Sequence, residues 1–242
     1  MIRYAFFIFL LISSYTNGQM LRIDTLSFPI PDRFGHIQND KLKFPFVRTG
    51  NEKIDTLINS DIKNRFTNFE FPDASIDSTI IAWAQDQIVY LDFSVTYSKN
   101  GFLSLNISAE GCGANCSGWT EYFTYSLHTG KYISLAEVAD TGGAFRDMIH
   151  ASRDIQFKNY RNELQSLLQD KDSGIDEDNF ELIMEHLNDC ENSFELNTYA
   201  IHADYLEISH TCYFPNIIKN MAPSIELKFK FSDIEEFLKI KL

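Results

Sequence analysis

The stretch Val89-Tyr-Leu-Asp-Phe-Ser-Val-Thr-Tyr-Ser-Lys-Asn-Gly-Phe-Leu-Ser-Leu-Asn-Ile-Ser-Ala109 decides the fold. Val89, Leu91, Phe93, Val95 and Tyr97 fall at every second position, with Asp92, Ser94 and Thr96 between them. A period of two places alternate side chains on opposite faces, so this segment reads as a strand. Asn100-Gly101 is the preferred chemistry of a two-residue hairpin turn. Leu103, Leu105, Ile107 and Ala109 then alternate with Ser104, Asn106 and Ser108, which makes the return strand. Beyond a loop holding Cys112 and Cys116, Trp119 to Leu127 reads as a third strand. His128-Thr129-Gly130 turns it toward Lys131 to Ile133. The pattern is an antiparallel meander rather than a series of βαβ units.

Outward from the meander, helices flank it on both sides. Ile54, Leu57, Ile58, Ile62 and Phe66 form one apolar face of a helix over about 51–68. Gln19 to Asp40 reads as an extended lead-in. Lys43 to Arg48 reads as an edge strand, because Pro45 cannot donate to a central ladder. Pro72 and the polar segment 73–79 mark a break. Toward the C-terminus, Ser134-Leu-Ala-Glu137 and Ser232-Asp-Ile-Glu235 are capping-box patterns. Helices are expected over about 144–169 and 179–190, and strands over 194–196, 205–209 and 225–231. No repeat or composition shift separates independent domains.

The first residues point to export. Arg3 precedes an apolar run of 8 residues, Ala5 to Ile12, and small and polar residues follow to Gly18. This is the three-part pattern of a secretory signal, with cleavage expected after Gly18. The run is too short to span a bilayer, which needs about 20 apolar residues. No cysteine lies at the cleavage site to take a lipid, and no later segment is apolar enough to span. The expected product is a secreted or periplasmic protein.

The chain carries a net charge of −13. Losing Arg3 with the leader would make it one unit more negative. That charge repels nucleic acid and anionic membranes, and suits a basic partner.

Four cysteines in an oxidising compartment tend to pair, and four allow three pairings. Cys112–Cys116 and Cys190–Cys212 are favoured, the first within a small-residue loop able to bend, the second between a helix end and a later strand. The rival arrangement is a zinc site of Cys112, Cys116, Cys212 and His210. It lacks the tight Cys-x-x-Cys knuckle, so no metal and no cofactor is expected.

No catalytic set emerges. The six histidines form no His-Glu-x-x-His motif, and there is no Gly-x-Ser-x-Gly elbow, P-loop or dinucleotide fingerprint. The acidic loop Asp170 to Glu181 misplaces the glycine and one ligand of a calcium-binding EF-hand loop. It reads as a solvated connection. Trp119, Tyr122 and Tyr125, beside the first cysteine loop, and Tyr213 and Phe214, after Cys212, are candidate ligand-binding residues. Aromatic side chains anchor interfaces and stack on sugars.

Three stretches together resemble the RsiV-like family of extracytoplasmic domains, which also precede the catalytic domain of PdaC-like peptidoglycan deacetylases. They are Phe44 to Asn59, Val95 to Glu137 with its Thr129-Gly-Lys131 turn, and Phe194 to Leu238. The cysteine-bearing version resembles free-standing forms exported by Bacteroidetes-type bacteria. The resemblance implies an α+β fold, with a curved antiparallel sheet packed against helices. It implies a single domain over 19–242, with an N-terminal part 41–130 and a C-terminal part 131–242. In one branch it implies lysozyme binding. The anti-sigma segment and the deacetylase domain of those relatives have no counterpart here. The expected function is a non-enzymatic cell-envelope binding module for a lysozyme-like protein or a peptidoglycan glycan. The alternative is a cell-envelope hydrolase with an unrecognised site.

Overall fold

A computed structural model describes residues 21–30, 41–85, 88–113, 116–170 and 172–242. The proposed leader and its cleavage site at Gly18 lie outside the described residues. The fold is α+β. Among the described residues it has six helices and three antiparallel sheets, with strand orders β1-β2, β3-β4-β5 and β6-β7-β8.

The meander is the central sheet. β3 (Ile88–Lys99) and β4 (Phe102–Cys112) are joined by Asn100 and Gly101, whose φ angles are 51° and 80°. Both central residues are left-handed, as a type I′ turn requires. A Cβ on Gly101 would also lie 2.3 Å from Nε2 of the exposed His128 ring, which would have to swing aside. β5 (Cys116–Ser126) pairs with β4 along its full length, from Phe102↔Ser126 to Cys112↔Cys116. The expected strand at Lys131 to Ile133 reduces to one bridge, Tyr125↔Tyr132.

One face of this sheet packs on the N-terminal elements. The lead-in is itself a strand, β1 (Arg22–Pro29), paired with β2 (Lys41–Arg48). The pair has no third strand among the described residues, so Pro45 breaks no central ladder. α1 (Glu52–Phe66) is capped by Asn51, whose side chain accepts from the backbone N–H groups of Lys53 and Ile54. The expected break at 72–79 contains the start of a second helix, α2 (Ile76–Gln85). Its run of Ile80, Ile81, Ala82, Trp83 and Ala84 lacks a clean helical stripe. Phe44, Ile58, Ile62, Ile80, Leu103, Leu105 and Phe123 form the core of this half.

The other face meets the C-terminal half. α3 (Leu135–Val138) starts at Ser134, whose N–H donates to Glu137 Oε2 at 2.8 Å, so the first capping box forms. α4 (Gly143–Gln169) and α5 (Glu177–Asn192) cover β6 (Thr198–Ile201), β7 (Tyr205–Thr211) and β8 (Ser224–Lys230). The expected strand at 194–196 lies just before β6 instead, where Phe194 packs on His210 with ring centroids 5.2 Å apart. The second capping box does not form: α6 (Phe231–Ile234) begins one residue earlier, and Ser232 Oγ donates to Asp233. Phe145, Ile149, Phe157 and Leu164 of α4 form one buried stripe on a second core. The halves are stitched together by buried polar links. Ser104 Oγ accepts from the Ile201 N–H and from Thr124 Oγ1, each at 3.1 Å.

The structure joins Cys112 to Cys116 and Cys190 to Cys212. The first bond closes the end of the β4–β5 ladder. The second ties α5 to the end of β7. None of the described helices is long and apolar enough to cross a membrane.

Candidate functional site: an aromatic groove at the edge of β5

α1 ends at Phe66, before it has covered the whole face of the central sheet. The chain then makes an unusual turn. Asn68 and Phe69 are both left-handed, with φ of 48° and 59°. For a bulky residue such as Phe69 this conformation is strained, and such strain persists only where surrounding contacts impose it. Lys63 supplies those contacts. Its side chain is buried in the fold, and its ammonium donates to the carbonyls of Phe71, Pro72 and Ala74 at 2.6, 3.0 and 2.7 Å. The turn leaves the Phe69 ring exposed and delivers α2 so that Trp83 lies against Phe66.

The result is an open groove of about 660 Å³. Phe66, Trp83 and Trp119 make its apolar wall. The Phe66–Trp83 centroids are 5.2 Å apart, and the Trp83–Trp119 pair is edge-on at 6.3 Å. These are the chain's only two tryptophans. Trp83 Nε1 donates to Glu70 at 3.3 Å, which fixes the indole. The opposite wall comes from the segment after β7: Cys212, Tyr213, Phe214, Asn216 and Lys219. Tyr213 is 86% exposed. The Lys219 ammonium donates to the Cys116 carbonyl and to Ser117 Oγ, which ties this wall to β5. Glu121 lines the groove from β5. It keeps access to solvent, yet the surrounding walls displace enough hydration to raise its carboxyl pKa.

The sequence-derived candidates separate in the fold. Trp119, Tyr213 and Phe214 come together in the groove. Tyr122 points to the other face of β5, into a neighbouring hollow of about 430 Å³, and burial raises its phenol pKa. Tyr125 is no recognition residue. It is fully buried, its hydroxyl donates to Asp61 at 2.9 Å, and burial drives its phenol pKa far upward. Phe66, Trp83, Glu121 and Lys219 were not singled out from sequence. Trp83 had one available signal, as one of two tryptophans in a chain with 21 phenylalanines.

The metal alternatives do not assemble. Cys212 is spent in a disulfide, and His210 Nε2 lies 3.2 Å from the Cys190 carbonyl, where it donates. Among the described residues, Glu110, Cys112 and Cys116 converge, but both sulfurs are bonded to each other. In the acidic loop, Asp176 caps α5 through the Asn179 N–H at 2.8 Å, and Asp170 accepts from the Asp172 N–H. Both act as ordinary turn residues.

No protein-family model matches the sequence, and no curated protein matches it. Solved structures match by shape. A DUF3298-family protein from Bacteroides fragilis has a TM-score of 0.53 at 11% identity, over 92% of this chain and 95% of that one. A DUF3298-family protein from Pseudomonas aeruginosa has a TM-score of 0.55 at 14% identity, over 92% and 96%. At these identities the likeness is one of fold.

Proposed function

We propose that this chain is an exported binding module of the cell envelope, and that the aromatic groove is its ligand site. The observation that carries the reading is the convergence of both tryptophans with Phe66, Phe214 and an exposed tyrosine in one open groove. Aromatic walls of this kind present flat apolar faces with polar rims, which suits the faces and hydroxyl edges of sugar rings. The leading ligand is therefore a cell-wall saccharide. The RsiV-like resemblance and the DUF3298-like fold are compatible with an extracytoplasmic address, and so are the two disulfides.

Titration of tryptophan fluorescence with peptidoglycan fragments and chito-oligosaccharides tests the reading. Saturable binding is expected at micromolar to millimolar concentration. Trp119→Ala should weaken it at least about tenfold, as for a buried aromatic anchor. Binding unaffected by Trp119→Ala and Trp83→Ala would remove the groove from consideration.

One observation favours a second ligand, a basic lysozyme-like protein: the net charge of −13. Its capture should fall steeply between low and high salt. A histidine-based form of the hydrolase alternative needs a free imidazole at the cleft. His210, which lines the polar hollow, already donates through Nε2 to a backbone carbonyl, and burial lowers its pKa.

A further inference from the structure

We infer that the aromatic groove and the neighbouring polar hollow are one continuous site, and that its ligand is an extended oligosaccharide bearing free amino groups. This rests on the saccharide reading above and adds length and charge to it. The two hollows share Gly118, Trp119, Thr211 and Ser224, so they meet around the outer edge of β5. One side offers aromatic faces. The other presents the Tyr122 phenol and the mutually bonded hydroxyls of Ser108 and Thr120, together with Ser209, whose hydroxyl donates to Glu207. A ligand lying on Trp119 would reach both.

Gly118 marks the passage. Glycine inside a strand weakens it and commonly signals that another chain or a ligand must come close. Nothing in the fold asks for it here. Its φ is ordinary, and a Cβ would meet only the Ala109 carbonyl oxygen, at a relaxed 3.6 Å. The missing side chain keeps the junction of the two hollows clear.

The charge of the passage sets the ligand class. Glu110 faces Gly118 directly across the β4–β5 ladder, and Glu121 lies three residues along β5. Neither forms an ion pair among the described residues. Glu226 also lines the polar hollow, paired with Lys228 at 3.0 Å. The cation that lines the aromatic groove, Lys219, is held by Cys116 and Ser117. Carboxylates along an aromatic-walled cleft complement an amine-bearing chain and disfavour an anionic one.

The test compares glucosamine oligomers with their N-acetylated counterparts, from dimer to hexamer, by calorimetry at low salt. Affinity should rise at least about tenfold from dimer to tetramer, and the amine series should bind at least about tenfold tighter. Gly118→Val should abolish the gain with length while leaving the melting temperature unchanged. Glu110→Gln with Glu121→Gln should erase the preference for amines. Length-independent affinity, or a Gly118→Val protein that still gains with length, would overturn the continuous site and leave Trp119-dependent dimer binding standing. Equal affinity for both series would overturn the charge assignment. Oligolysine binding more tightly than the amino sugars would overturn the saccharide class. Failure of every saccharide at millimolar concentration would sink this inference together with the function it rests on.

Discussion

Replacing Lys63 by Met keeps the side chain's length and apolar stem but removes its ammonium. Lys63 is 3% exposed and its charge is spent on three backbone carbonyls, at 2.6, 2.7 and 3.0 Å. A hydrogen bond to a charged group contributes about 1.5–3 kcal/mol, so three independent bonds would sum to about 4.5–9 kcal/mol. Two effects reduce that sum. Met avoids the desolvation cost of burying an ammonium, and water can reach the partly exposed loop 71–74 to replace some of the lost donors. The expected net loss is about 2–4 kcal/mol. Urea unfolding followed by circular dichroism, with the disulfides intact, should show it as a lower midpoint with little change in slope. Trp83 supplies a second readout. The clamp sets where α2 begins, so native tryptophan emission should shift, and groove ligands should bind more weakly. A Lys63→Met protein within about 0.5 kcal/mol of the parent would refute the clamp.

Two further perturbations address other parts of the fold. Replacing Cys190 and Cys212 together by Ala opens a loop of 22 residues' separation and should cost about 3 kcal/mol in the chain-entropy estimate. The Cys112–Cys116 pair closes a ladder already paired to its last rung and should cost less, as thermal unfolding of the two double variants would reveal. His202 predicts a pH dependence. Burial lowers its pKa first, Glu207, Asp204 and Glu226 raise it, and Lys228 lowers it. Its Nε2 lies 3.4 Å from Glu207, and its ring stacks on Tyr205. The folded state therefore takes up this proton at lower pH than the unfolded chain, whose histidine titrates near about 6.5. Stability contributed by the neutral ring is complete above that value and falls as pH drops toward the folded pKa. Denaturant midpoints between pH 7 and pH 5 should fall less steeply in His202→Gln than in the parent.

Much of the fold was legible because it is local. The Asn100-Gly101 turn and the alternation on either side of it define a hairpin whose register needs no distant contact. Asn51 and Ser134 announce helix starts through bonds to residues two or three positions away. The weaker signals failed for local reasons too. α2 has apolar residues in a block rather than a stripe. The Ser232 box matches in composition, but the strand before it ends at Lys230, and the helix starts at Phe231, one residue ahead of the cap. The site was legible only in part. An aromatic cluster near the first cysteine loop was visible, and Trp119, Tyr213 and Phe214 converge there. Lys219 and Glu121 gave no sign, because they matter through neighbours about 100 and 90 residues away along the chain.

Sequence by itself determined the meander, its tight turn and the acidic charge, since each follows from spacing or composition, and the α+β class was implied by the RsiV-like resemblance. Trp119 and Tyr125 stand an even number of residues apart on β5 and so share a face of the strand. Only the tertiary structure decided their fates. α1 lies across that face and takes the Tyr125 hydroxyl onto Asp61, then ends at Phe66 beside Trp119. Beyond that point Trp83 of α2 reaches Trp119, edge-on at 6.3 Å, and Trp119 remains at the wall of a groove. Where a helix stops relative to a strand packed beneath it depends on the packing of both, and periodicity along either one does not encode it.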